Sequence, residues 1–141
     1  MPILHEPSTQ QLRELFESIH TIAIVGLSPD SSKPSHQVAA YLQKAGFRII
    51  PIYPKEETIL GEKVYRSLEE VDIPIDMVDM FRKPQVADIL VEQLQHRKEV
   101  KCLWLQLDIR NDNAAQKASQ MGLTVVQDRC TKIEHQRIFH P

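Results

Sequence analysis

Thr21-Ile22-Ala23-Ile24-Val25-Gly26-Leu27-Ser28-Pro29-Asp30-Ser31-Ser32-Lys33-Pro34-Ser35 begins as an apolar, β-branched run, stops at a glycine, and passes through a polar loop to a proline suited to opening a helix. This order predicts a strand, a tight turn and a helix, the opening unit of a nucleotide-binding α/β domain. Gly26 lets the main chain turn sharply and leaves room for a ligand beside it. The helix beyond Pro34 directs its free N–H groups at the same crevice, which suits a phosphate. The dinucleotide fingerprint G-x-G-x-x-G is absent, because Ser28 stands where its second glycine belongs.

Outward from this stretch, apolar strands alternate with capped helices. Upstream, Ser8-Thr9-Gln10-Gln11 has the spacing of a capping box, and Leu12, Leu15, Phe16 and Ile19 follow at helical intervals. Downstream, Val38, Tyr41, Leu42 and Ala45 share a helical face that ends at Gly46. A second strand is expected over Phe47–Tyr53, with Pro51 marking a strand end or bulge. Further strands are expected over Asp76–Phe81, Lys101–Gln106 and Leu123–Val126. Between them lie a helix opened by Pro84 and a shorter one capped by Asn111 or Asp112. Thr131-Lys132-Ile133-Glu134 is expected to be a capping box for a last helix. The whole chain, 1–141, therefore reads as one Rossmann-like, doubly wound α/β domain. It has a mostly parallel sheet of about five strands, with helices on both faces.

In such sheets ligands bind beyond the carboxyl ends of the strands. The groups expected there are Gly26-Leu27-Ser28, Lys33-Pro34-Ser35, Tyr53-Pro54-Lys55, Phe81-Arg82 and Gln106-Leu107-Asp108. An NAD site places an acidic residue after the second strand. Lys55 stands there instead and favours a ribose phosphate, either the 3′-phosphate of coenzyme A or the 2′-phosphate of NADP. Arg82 and Lys33 are further candidates for the diphosphate.

Several of these segments carry a family resemblance. Ile24–Ser28, Lys33–Val38, Ile50–Lys55, Val78–Arg82, Leu103–Leu107, Met121–Leu123 and Asp128–His135 resemble the small stand-alone CoA-binding proteins of the YccU type. These are similar in turn to the CoA-binding domain of the succinyl-CoA synthetase α subunit. The resemblance implies coenzyme A across the strand ends, as cofactor and partner. Gly26, Leu27, Ser28, Lys33, Pro34 and Ser35 would hold its phosphate and adenosine groups. Pro54 and Lys55 would lie beside the 3′-phosphate, Tyr53 in the wall of the adenine pocket, and Phe81 and Arg82 along the diphosphate or pantetheine, with Gln106 on the same rim. The chain departs from the family pattern at Asp108, where glycine is common, and at Tyr53, where a small or polar residue is common.

The expected function is binding of coenzyme A or an acyl-CoA by a non-catalytic binding or sensing module. An NADP-type oxidoreductase and a nucleotide fold given over to protein interaction are the alternatives. The synthetase passes phosphate through a histidine on a further domain, which this chain is expected to lack, and its six histidines show no metal-ligand spacing. His36 reads as a packing or capping residue, and Asp108 with Arg110 as a surface ion pair. Cys102 and Trp104 read as core. Cys130 reads as buried, or alternatively as a low-pKa thiol at a helix N-terminus able to pair with the pantetheine sulfhydryl. A net charge of −2 speaks against nonspecific nucleic-acid binding. No apolar run approaches the ~20 residues of a membrane span. Reduced thiols and a cytoplasmic location are expected, with no nucleic-acid or membrane partner.

Overall fold

The computed structural model describes residues 3–4 and 6–141. Its elements in chain order are β1 (Ile3–Leu4), α1 (Thr9–Ser18), β2 (Thr21–Val25), α2 (Pro34–Lys44), β3 (Arg48–Ile52), β4 (Thr58–Ile59) and β5 (Glu62–Lys63). A 3₁₀ turn (Leu68–Glu70) follows, then β6 (Met77–Met80), α3 (Val86–Leu94), β7 (Cys102–Leu105), α4 (Asp112–Gln120), β8 (Thr124–Val126) and α5 (Thr131–Phe139). Six strands form one all-parallel sheet in the order β1-β8-β7-β6-β2-β3, while β4 and β5 make a small antiparallel hairpin apart from it.

The strands are apolar on both faces because helices cover both faces. Ile22, Ile24, Ile49, Met77, Cys102 and Trp104 pack with Leu12, Phe16, Val38, Leu42 and Ile138 of α1, α2 and α5. The alternate residues Ala23, Val25, Ile50, Val78, Leu103 and Leu105 pack with Ala87, Leu90 and Leu94 of α3 and Ala114, Ala115 and Ala118 of α4. This is the period-two division of a strand between two buried layers. Trp104 and Cys102 are fully buried, and Cys130 nearly so.

Local chemistry sets the element ends. Ser8 and Gln11 form a reciprocal capping box on α1. Asn111 caps α4 by accepting from the Ala114 N–H, and its amide also donates to the Pro84 carbonyl and to Asp88. This one side chain ties α4 to the start of α3.

Four expectations are corrected. Two-residue β1 adds a sixth strand beside β8 through the register Ile3↔Val125 and Leu4↔Val126; it is too short to show a period. Pro51 sits inside β3, in regular register with Ile24, rather than at a strand end or bulge. β3 is the edge of the sheet, so the missing N–H takes no ladder bond away. The Thr131–Glu134 spacing does not form a capping box. The N-cap of α5 is Cys130, which makes no side-chain cap; Thr131 bonds into the core and Glu134 pairs with Arg137 at 2.8 Å. Arg110 pairs with Asp112 at 3.1 Å rather than with Asp108.

Asp108 adopts φ +67°, and its N–H donates to Asp128 at 2.7 Å. A left-handed backbone of this kind favours glycine. Asp108→Gly is expected to raise stability by about 0.5–1 kcal/mol, read as a higher urea midpoint with unchanged slope.

Candidate functional site

The strand order reverses between β2 and β6. From β2 the chain moves outward through α2 to β3, then returns to place β6 on the opposite side of β2. In register, Val25 faces Met80, so the next residues, Gly26 and Phe81, leave the sheet side by side, and the Phe81 N–H donates to the Val25 carbonyl at 2.9 Å. Arg82 then folds across Gly26. A Cβ built on Gly26 would stand 2.6 Å from Arg82 Cδ and 3.3 Å from the Phe81 carbonyl oxygen, and Gly26 has φ +85°. Both conformation and space therefore require glycine.

A cleft of about 230 Å³ opens at this point, lined among others by Gly26, Tyr53, Pro54, Arg66, Arg82 and Ile89. It is smaller than the ~300–1,000 Å³ of a typical small-molecule pocket. It therefore suits one end of an elongated ligand, the remainder lying along the rim. The cradle at Gly26 and the cation beside it fit an anionic nucleotide; no carboxylate lines this cleft.

The sequence-derived residues fall into three groups. Gly26, Tyr53, Pro54 and Arg82 line the cleft. Lys55, Lys33 and Pro34 are exposed and Phe81 is half-buried, and none of the four is among the residues that line the cleft. Leu27 is fully buried in the apolar layer under α1 and α2. Ser28 and Ser35 bond to one another: the Ser28 N–H donates to Ser35 Oγ at 3.0 Å. His36 Nδ1 lies 2.9 Å from the Ser28 carbonyl oxygen. These two contacts close the loop before α2, whose N-cap, Lys33, makes no side-chain capping bond. Gln106 is buried, and its side-chain oxygen accepts from the Thr131 N–H and lies within hydrogen-bond distance of the Thr131 hydroxyl.

Arg66, Ser67, Ile89 and Gln93 also line the cleft and were not anticipated. Arg66 Nη1 reaches the carbonyl oxygens of Tyr53, Lys55 and Glu56 at 3.1, 2.8 and 2.8 Å. It pins the loop that carries Lys55, and no short motif announces such a contact. Ile89 did leave a signal, since it falls off the buried α3 face of Ala87, Leu90, Val91 and Leu94 yet is apolar. Among the described residues no group of three or more His, Cys, Asp or Glu is placed to hold a metal. Among the described residues no helix is long and apolar enough to cross a membrane.

Residues 20–136 match the model of the CoA binding domain family. The chain belongs to that family. It is 34% identical over 132 residues to the uncharacterized protein YneT of Bacillus subtilis (strain 168), covering 94% of this chain and 97% of that protein. A hypothetical protein from Pyrococcus horikoshii OT3 superimposes with a TM-score of 0.90 at 33% identity, over 98% of this chain and 96% of that one. The cell-free ID.343 structure from Thermus thermophilus gives a TM-score of 0.89 at 32% identity, covering 94% of this chain and 100% of that one.

Gly26→Ala is expected to lose stability by about 1–2 kcal/mol from the left-handed backbone, with a further loss from the contact with Arg82. In the Arg82→Ala background the steric part is relieved and the conformational part remains. Urea unfolding of the two single variants and the double variant measures both parts as a coupling energy.

Proposed function

We propose that the chain binds coenzyme A or an acyl-CoA at the carboxyl ends of β2, β3 and β6, as a binding or sensing module without chemistry of its own. The single observation that carries this reading is the crevice at the strand-order reversal. Its backbone is bared by Gly26, its cation is Arg82, and the loop after β3 presents Lys55 where an NAD site would present a carboxylate. The family match supports the same ligand.

In this reading Arg82 meets the diphosphate and Lys55 the 3′-phosphate of the adenosine. Arg66 holds the Tyr53–Glu56 loop so that Lys55 is presented in one place. The uncapped first turn of α2, with Lys33 at its start, adds positive potential to the same rim. Coenzyme A, when bound, supplies a thiol or thioester; the chain orients it and gives it no nucleophile or base.

Calorimetric titration tests the assignment. Coenzyme A is expected to bind more tightly than dephospho-CoA by about five- to thirtyfold, the worth of one charge-assisted contact of roughly 1–2 kcal/mol on an exposed loop. Lys55→Ala removes this preference and leaves dephospho-CoA unchanged, whereas Arg82→Ala weakens both ligands alike. High salt shrinks the preference, because Lys55 is exposed to solvent. Equal affinity of the unaltered protein for the two ligands would take Lys55 out of the site. Incubation with ATP, acetate or succinate, and coenzyme A is expected to yield no thioester above background; steady turnover would overturn the binding-module reading.

A further inference from the structure

Asp79 is the one buried side chain among the described residues with an oxygen, Oδ1, that meets no hydrogen-bond partner. It lies in the middle of β6, fully buried, in register with Ile24 on one side and Trp104 on the other. It faces the layer formed by α1, α2 and α5. Its other oxygen, Oδ2, stands 2.9 Å from the Thr131 hydroxyl oxygen, and that hydroxyl stands 3.0 Å from Gln106 Oε1. Thr131 is the first residue of α5, and Gln106 the first residue after β7.

The protons at this cluster can be counted. The Thr131 backbone N–H donates to Gln106 at 3.1 Å, which fixes the amide with its oxygen, not its nitrogen, toward Thr131. The Thr131 hydroxyl has one proton and two oxygens within bonding distance. If Asp79 is a carboxylate, both of those oxygens are pure acceptors. One contact is then oxygen against oxygen with no proton between, beside a buried charge with no cation on it. With a proton on Asp79 Oδ2 every contact is made: Asp79 donates to the Thr131 hydroxyl, and the hydroxyl donates to Gln106.

We propose that Asp79 is a neutral carboxylic acid in the folded protein and the positioning residue for the first turn of α5, its proton completing the relay that locks Thr131 and Gln106 over the carboxyl ends of β6 and β7. Burial points the same way, raising the Asp79 pKa to about 8 against a smaller lowering by the Thr131 hydroxyl. Near that pH the proton leaves, the relay loses its donor, and the α5 turn is released. That turn follows Arg129 and Cys130, which with Ile133 and Glu134 line a separate cavity beyond the end of β8.

The other groups on this face do not supply the same titration. The buried Cys102 thiol, pushed up by burial, stays protonated. Glu134 is paired with Arg137. The His135 ring is bonded to the Tyr41 hydroxyl at 2.8 Å, and burial moves its titration below the ordinary range. The buried residues of α1 are Leu12, Leu15 and Phe16, and those of α2 are Ser35, Val38, Ala39 and Leu42, none of them charged. His36, in the first turn of α2, is bonded to the Ser28 carbonyl. The nearby cations in sequence, Arg129 and Lys132, are half-buried.

The chain contains one tryptophan, Trp104, and it is the register partner of Asp79, with its indole N–H bonded to the Arg129 carbonyl at 2.7 Å. Its fluorescence therefore reports on the relay without any ligand. A titration from pH 6 to 10 is expected to show a transition near pH 8 in the unaltered protein and none in Asp79→Asn, whose amide supplies the same donor at every pH. Stability follows the same proton. The Asp79 contribution is full below pH 3.8, the unfolded value, and is lost as pH rises to about 8; Asp79→Asn lacks that slope in urea unfolding. The absence of a transition, or the same transition in Asp79→Asn, overturns the proposal.

Discussion

A parallel sheet buried on both faces leaves a protein few places to present polar chemistry, and the rest of this structure follows from that constraint. The strands of the main sheet between β2 and β8 spend most of their side chains on one apolar layer or the other. Main-chain groups and charged residues emerge together only where strands stop. At the reversal of strand order the connection from β3 to β6 leaves a cleft that its own residues Arg66 and Ser67 help to line. Gly26 and Arg82 meet there because Val25 and Met80 are register partners. The cleft is a consequence of topology, and the side chains decide only what it accepts.

The layer architecture was legible in the sequence because it rests on local signals that recur. The run Thr21–Val25 is the strand found, and the capping box at Ser8 stands as read. The misreadings share a cause. Pro51 was read by its missing N–H alone, and only the position of β3 at the sheet edge shows that no bond was needed there. Thr131 was read as the start of a capping box, because a side chain that reaches Asp79, 52 residues away, looks the same in sequence as one that reaches its own helix. Arg66 was passed over for the same reason: its partners are backbone oxygens 10–13 residues away, and carbonyls carry no residue-type signature.

The expected rim residues also sort by physical role once the fold is seen. Pro54, Lys55 and Arg82 are exposed, and the cost of keeping them there falls on Arg66 and Gly26, which organise the backbone. Leu27 and Gln106 occupy rim positions in the chain but turn into the core, one by apolar packing and the other by bonding to Thr131. Proximity in sequence to a strand end is thus a poor guide to side-chain direction. The alternation of a strand does not continue past its last residue.

The proline in β3 bears on assembly. Hydrogen bonds to β2 use residues 48 and 52 of β3, so the N–H of residue 51 would face outward, where proline has none. Beyond it the free edge is already engaged by Tyr65, which donates to the Pro51 carbonyl and accepts from the Tyr53 N–H. At the opposite edge, β1 covers two of the described residues, Ile3 and Leu4. The β3 margin, engaged in this way, offers no free docking template for a strand from another molecule, which guards that edge against edge-to-edge growth.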